Sequence, residues 1–510
     1  MTERRPGPRR RDEARARQPS PASATALGAL RPAGPPLEVL STEQVERIVL
    51  TAYRVLEELG LEIRSPRARA IYASAGALVD DETGIVRLGR DLIEAQLGTA
   101  PASFVLHARN ASRHLQVGGN AVNFGPVHGA PNIRDGRDGR RYGNLEAFRN
   151  ILRLTHALGV TQWQGGIVVE PTDEPVATRH LDAYLAHIEC SDIVWAARGV
   201  GREQAEDALA LSAIEHGCSL EGLAERPTLM TVTNVNSPRR VDEEILDNII
   251  TMATHGQCVV ITPFTLMGAM APVTLAGALA QQTAEALGIV ALCQLVRPGA
   301  PCVLGGFTSN VDMKSGSPAF GTPEYVQGVI ASAQIGRRLA LPVRTSAVNA
   351  SPCVDAQSTY ETAFALQAAI LSHSHLVSHA AGWLEGGLSA CYEKIIVDAE
   401  LIRHWAGILR PVEFTEDDLG FEAIRDVPPG GHHFGTAHTL ARYQKAFYQP
   451  LLSDWSSYEA WTQAGSRDAT QRATQIWQRV LDDYKAPALD PAVHEAVTDY
   501  VIRRKAERRP

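Results

Sequence analysis

From about position 120 onward, eight short runs rich in β-branched and aromatic residues recur about every 30–45 residues, each followed by a polar loop and an amphipathic helical stretch. The runs occupy 121–127, 162–169, 192–198, 228–235, 258–264, 302–307, 342–348 and 375–383, and the helical stretches 144–158, 176–189, 202–216, 242–255, 274–296, 322–339, 357–372 and 390–405. Strands alternating with helices at this spacing predict a parallel sheet, because a parallel pair needs a crossover helix. Eight such units close naturally into an α/β (β/α)8 TIM barrel. An open doubly wound sheet uses the same unit, but the count favours closure and no GxGxxG follows an early strand. The stretch from Gln257 to Glu361 shows the pattern most clearly, with VVITPF, CVLGGF and PVRTSAV each running into a loop too rich in Gly, Pro, Ser and Asn to be a helix interior.

The barrel spans 120–407, with N- and C-terminal helical extensions around it. Ser41 with Gln44 three residues on predicts a capped helix over 41–60 with a glycine stop, in a mostly helical extension over 37–119. Residues 408–510 form a second helical extension. Residues 1–36, basic and Pro/Ala-rich without valine or isoleucine before position 37, are expected to be disordered or loosely docked.

A formal net charge of −8 argues against a nucleic-acid partner, since no basic stripe lies outside the extreme N-terminus. The longest apolar region, 271–296, is interrupted by Gln281, Gln282, Glu285 and Gln294, so no membrane span is expected. Seven cysteines stand singly without a CxxC pair, which reads as reduced, core-packing thiols of a cytoplasmic protein.

In a parallel barrel the strand ends and the loops after them build the site. That rule selects His128, Trp163, Gln164, Glu170, Arg198, Asn234, Asn236, Phe264, Phe307, Asn310, Asp312, Asn349, Asp355, Gln357, His379, Trp383 and Glu385. Aromatics make up only 6% of the chain, so four of them at strand ends (Trp163, Phe264, Phe307, Trp383) are informative. Each either packs the core or offers a ring face to a cation, a contact worth about 0.5–2 kcal/mol. His373, His375 and His379 leave a metal site conceivable, although the segment reads as a strand. His432, His433 and His438 lie in a glycine-rich loop expected to cover the mouth rather than to bind metal. No nucleophile elbow, phosphate loop or paired-carboxylate motif is present.

Six ordered segments carry a resemblance: PNIRDGRDGRRYGNLEAF, TVTNVNSP, ITPFTLMGAMAPVTLAGALAQQTAEAL, VRPGAPCVLGGFTSNVDMKSGSPAFGTPE, LPVRTSAVNASPCVDAQSTYE and EKIIVDAELI. Across about residues 120–405 the chain resembles the trimethylamine methyltransferase superfamily, (β/α)8 enzymes that demethylate methylated amines onto a corrinoid protein. Members that use trimethylamine carry pyrrolysine in the loop before the DAQ segment; here that loop, 349–354, holds only standard residues. The resemblance therefore implies the non-pyrrolysine branch and transfer of a methyl group from a quaternary amine, glycine betaine first, to cob(I)alamin on a partner corrinoid protein. Carnitine, proline betaine, choline or a sulfonium compound are the other substrates it allows. It further implies that no cofactor is tightly bound, that no metal is needed, and that the chain self-associates.

Under this reading Asp312 and Glu385 are expected to help orient and desolvate the cation. Trp163, Phe264, Phe307 and Trp383 are expected around it, with His379, Asn310 and Asn349, and with less weight Arg344, as donors to a substrate carboxylate. Two readings from other classes stand beside it: a metal-dependent barrel lyase or hydrolase using His375 and His379, and a non-catalytic sensor of quaternary amines.

Overall fold

A computed structural model describes residues 26–508. Its centre is an eight-stranded parallel sheet whose strands, in chain order, are β1 (Asn123–Phe124), β2 (Trp163–Gln164), β3 (Val194–Ala197), β4 (Leu229–Val235), β5 (Cys258–Pro263), β6 (Cys302–Gly305), β7 (Val343–Ser346) and β8 (Leu376–Ser378). From β2 to β8 each strand pairs with the next in parallel, and β8 pairs with β1, which leaves β1 and β2 as the two ends of the sheet. Closure between β1 and β2 rests on Gln162, whose backbone N–H donates to the Phe124 carbonyl at 2.9 Å while its side-chain oxygen accepts the Phe124 N–H at 2.8 Å. All eight strands coincide with the apolar runs of the sequence.

Eight helices follow the strands: α1 (Leu145–Leu158), α2 (Arg179–Cys190), α3 (Arg202–Glu215), α4 (Glu243–Thr254), α5 (Leu275–Val296), α6 (Pro323–Arg338), α7 (Ala356–Leu371) and α8 (Tyr392–Ile408). Their starts follow local chemistry: Asn144, Thr322 and Asp355 each accept a backbone N–H of the first turn. α5 has the length and apolarity of a membrane-crossing helix, yet it is mostly buried between the barrel and an N-terminal helix.

Strand alternation sorts the side chains. On β7, Val343 faces Gly336 of α6, where an added Cβ would stand 1.9 Å from a Val343 methyl, so Arg344 points into the barrel. Inward residues Trp163, Val194, Ala196, Met230, Val260, Val303 and Leu376 fill the lower interior, and a hairpin of Phe104–Leu106 and Leu115–Val117 plugs that end.

The structure adds detail on the N-terminal extension and corrects the expectations for the tail and the cysteines. In the N-terminal extension helices cover more residues than strands do, and the strands are an addition to the expected helices. Thr42–Arg54 is a helix with the expected Ser41/Gln44 capping box and ends, after one wide turn, at Gly60, but Leu61–Ile63, Leu78–Asp80 and Ile85–Arg87 form a small sheet with Arg240–Val241. Of the tail expected over 1–36, residues 1–25 lie outside the described residues. From Leu27 on, the chain is docked: the Leu27 N–H donates to Gly159, and Leu30 exchanges both backbone bonds with Val122. Finally, Cys218 is exposed and Cys353 half-buried, so two of the seven free thiols do not pack the core.

One buried histidine gives the barrel a pH signature. His187 on α2 donates to the Gly166 carbonyl at 2.8 Å and stacks on Trp195, and burial lowers its pKa to about 4. The unfolded chain takes up this proton near pH 6.5, which the folded chain refuses until about 4. Stability is therefore full above about pH 6.5 and declines as pH falls below it. Urea unfolding midpoints measured against pH are expected to be level from about pH 7 to 8 and to drop below about 6.5, and His187→Gln should make that drop shallower while other buried histidines, His128 and His216 among them, keep the remainder.

Candidate functional site

At the C-terminal ends of the strands the inner face changes character. Gly125 and Gly305 stand where side chains would otherwise meet: a Cβ at Gly125 would lie 2.2 Å from the Trp163 ring, and one at Gly305 would lie 2.5 Å from the Thr262 hydroxyl. On the inner face of β4, Val232 is half-buried and Asn234 two residues on is exposed, so the upper interior is open to solvent on that side.

Arg344 reaches into this space. It is 2% exposed, its Nε donates to the Ser378 hydroxyl at 2.8 Å, and its Nη1 has no partner. No carboxylate among the described residues pairs with it. Burial pushes its pKa down to about 10, opposed only by the Tyr325 phenol. Buried cations are ordinarily paired, because desolvation costs several kcal/mol per ion. Other buried polar atoms without partners gather at the same level: Trp163 Nε1, His128 Nε2 and Thr262 Oγ1. Such a cluster of unsatisfied groups in one region is what a polar ligand site looks like before the ligand is considered.

Rings wall the space above. His379 lies 4.1 Å from His128 and 4.1 Å from Trp383, ring centre to ring centre, and its Nδ1 meets the Ser346 hydroxyl at 3.2 Å. Burial, then the charge of Arg344, holds His128 down at about 3; burial, then His128 and Arg344, keeps His379 well below its ordinary value. Both imidazoles are neutral at physiological pH. Phe307 has the Arg344 guanidinium 5.1 Å from its ring centre and Phe320 stacked parallel to it at 5.5 Å. Phe264 lies 5.1 Å from Phe307, and Trp383 crosses it edge-on at 6.5 Å.

The site thus joins Trp163, Phe264, Phe307, His379, Trp383 and Arg344, all named from sequence, with His128 of the wider strand-end selection. The other named residues do different work. The Asn349 side-chain amide donates to the Trp383 carbonyl at 2.6 Å and to the Thr362 hydroxyl at 3.2 Å, and its backbone carbonyl accepts the Trp383 indole N–H at 3.1 Å, so its donors are spent on seating that loop. Asn310, on the Ser309–Val311 strand beside the mouth, accepts from Thr322. Asp312 is an exposed turn residue, its carboxylate taking the N–H groups of Lys314 and Ser315. Glu385 pairs with Arg140 at 2.9 Å and with the Ser389 hydroxyl. Neither acid is free to face a ligand in the ring cluster.

His375 spends both ring nitrogens on backbone, accepting from Val343 and donating to the Gly119 carbonyl, at the plugged end of β8. It forms no ligand pair with His379, and no group of three metal-binding side chains occurs among the described residues. His432, His433 and His438 do not cover the mouth. They lie on an exposed excursion that leaves α8 at the opposite end of the barrel.

Sequence reasoning missed Phe320, Tyr325, Ser346 and Thr262. Phe320 was the most findable, as a single aromatic in a Gly/Ser/Pro loop after β6. The others required the inward and outward alternation of β5 and β7.

Compared with known proteins, residues 5–509 match the family described as "Trimethylamine methyltransferase (MTTB)". A glycine betaine methyltransferase of Desulfitobacterium hafniense is 34% identical over 93% of this chain and 98% of its own. A trimethylamine methyltransferase of the same species is 28% identical over 94% and 97%, and a proline betaine:corrinoid methyltransferase of Eubacterium limosum 26% identical over 91% and 96%.

If Arg344 is an unpaired buried cation, exchanging it for an uncharged side chain of similar length removes a desolvation cost at the price of one hydrogen bond. Arg344→Met is expected to raise stability by about 2 kcal/mol in ligand-free protein, read as a higher thermal midpoint. A lower midpoint would mean that the guanidinium holds the fold together.

Proposed function

Since the chain belongs to the trimethylamine methyltransferase family, we propose that it moves a methyl group from a carboxylate-bearing quaternary amine, glycine betaine first, to cob(I)alamin carried by a partner corrinoid protein. One observation carries the choice of substrate. The interior holds a buried guanidinium without a counter-ion beneath a wall of neutral rings, which complements a small zwitterion with one carboxylate and one quaternary ammonium.

The carboxylate takes the place of the missing counter-ion on Arg344, with the neutral His379 and the Trp163 indole N–H as further donors. Charge-assisted bonds of this type, formed where water is excluded, are the strong ones. With the carboxylate held low, the ammonium lies among the Phe264, Phe307 and Trp383 rings. These stabilise a cation without hydrating it. Glycine betaine, proline betaine and carnitine fit this arrangement; choline, trimethylamine and simple sulfonium compounds leave Arg344 unpaired.

Cob(I)alamin, presented at the mouth by the partner, supplies the nucleophile. The reacting methyl leaves a nitrogen that is already quaternary, so the electron pair of the broken C–N bond returns to that nitrogen and yields a neutral tertiary amine without prior protonation. No general acid or base is required, and the chain's task is to orient one N-methyl toward the opening and keep water from the cation. The loop 349–354 agrees with this. It is folded on itself, the Ser351 hydroxyl bonding Cys353 and Asp355, and carries no electrophilic side chain.

The test is anaerobic: purified protein, free cob(I)alamin and a panel of amines, followed by absorbance. Methylcobalamin is expected from glycine betaine or a carboxylate-bearing relative and not from trimethylamine. Equal rates from choline and glycine betaine would refute the substrate assignment, and binding without transfer, even with a corrinoid protein supplied, would favour a sensor.

A further inference from the structure

Between α8 and the helix Ala469–Asp482 the chain makes a long excursion, and from 403 to 451 no residue is buried. The helices of that unburied stretch, Glu416–Leu419, Phe421–Arg425 and Ala437–Arg442, are too short to persist alone in water. Only the ends are pinned. At the start, Arg403 donates to the Leu158 carbonyl; at the return, Glu400 accepts the N–H groups of Leu451, Leu452 and Ser453 and the Tyr448 hydroxyl.

What this segment displays is apolar. Val412, Phe414, Phe421, Ile424, Phe434 and Phe447 are 61–86% exposed. Summed over the six they present on the order of 700 Å² of side-chain surface, concentrated in one segment that buries none of its own residues. A groove of about 360 Å³ runs between the short helices, lined by Leu419, Ile424, Tyr443 and Phe447 among others. Phe414 and Phe434, each at least 80% exposed, are the projecting rings.

We propose that this excursion is the interface of a two-fold dimer, in which it packs against the same excursion of a second copy and the projecting rings of each fill the groove of the other. Three observations select that occupant. The displayed area is close to the ~800 Å² that each partner gives to a stable interface. Knob and groove lie on one segment, so a two-fold axis satisfies both at once and closes the assembly. The excursion also starts at the Leu158 end of the barrel, away from the mouth, so a partner that delivers a cofactor to the mouth does not cover it. The inference does not rest on the methyl-transfer reading.

Sedimentation velocity of the full chain over about 0.5–50 µM tests it. The expected species has the mass of two or more 55.1 kDa chains, and Phe414→Asp with Phe434→Asp at least halves it at equal concentration. Tyr360→Asp with Phe364→Asp, on the exposed face of α7, leaves it unchanged. Hydrogen exchange on the unaltered protein gives an arm that needs no variant: amides of 411–447 should slow as concentration rises through the association range. A wild-type monomer at the top concentration, a doubly substituted chain that keeps its mass, or exchange in 411–447 that ignores concentration would each overturn the proposal.

Discussion

A guanidinium held inside a barrel with one hydrogen bond and no carboxylate is a constraint that the surrounding structure must accommodate. Arg344 cannot escape to water, because β7 is flanked on both sides by paired strands and its alternation aims position 344 inward. The charge is therefore present whether or not a ligand is bound, and it affects its neighbours. It helps keep His128 and His379 neutral, and it lies against Phe307, which Phe320 backs. A site built this way is costly when empty and gains most from an anion, which is the energetic pattern expected where stability has been exchanged for binding.

The wall opposite Arg344 is held by buried polar chemistry on α8. The Asp398 carboxylate accepts the Gly382 N–H at 2.8 Å, next to Trp383, and pairs with Lys394, whose ammonium also reaches Thr362 at 3.0 Å. Thr362 in turn accepts from Asn349, which clamps Trp383 from the other side. Immediately before that lysine, Glu393 accepts the Gly136 N–H, the Thr474 hydroxyl and the Trp477 indole N–H, binding the mouth-side hairpin and the C-terminal helix to the same element. The segment EKIIVDAELI thus supplies no group to the ring cluster. It fixes the loop that carries His379 and Trp383, and satisfied networks of this kind are rigid because every member is costly to release.

Legibility followed the range over which each signal acts. Strand and helix positions were readable because apolar runs, glycine stops and capping residues such as Asn144 and Asp355 are local. The strand-end rule likewise found Trp163, Phe307, His379 and Trp383. Arg344 received too little weight because it stands in the middle of PVRTSAV, and only the inward direction of that position, set by Val343 against Gly336, makes it a site residue. Asp312 and Glu385 failed for the opposite reason: Asp-Met-Lys-Ser is a turn signal in its own right, and the ion pair of Glu385 is with Arg140, far away in sequence. Nothing local marked the excursion after α8 as lacking a core, since its helical pattern resembles that of helices that are covered.

The central claim is that an unpaired Arg344 selects a zwitterion over a simple cation. Isothermal titration of the unaltered protein with glycine betaine and with choline, which share the trimethylammonium head and differ in the carboxylate, measures this without requiring turnover. The account predicts that glycine betaine binds at least about 30-fold tighter, the ~2 kcal/mol or more expected of a charge-assisted pair out of water. Equal affinity for the two would contradict it, because the guanidinium would then have no part in recognition.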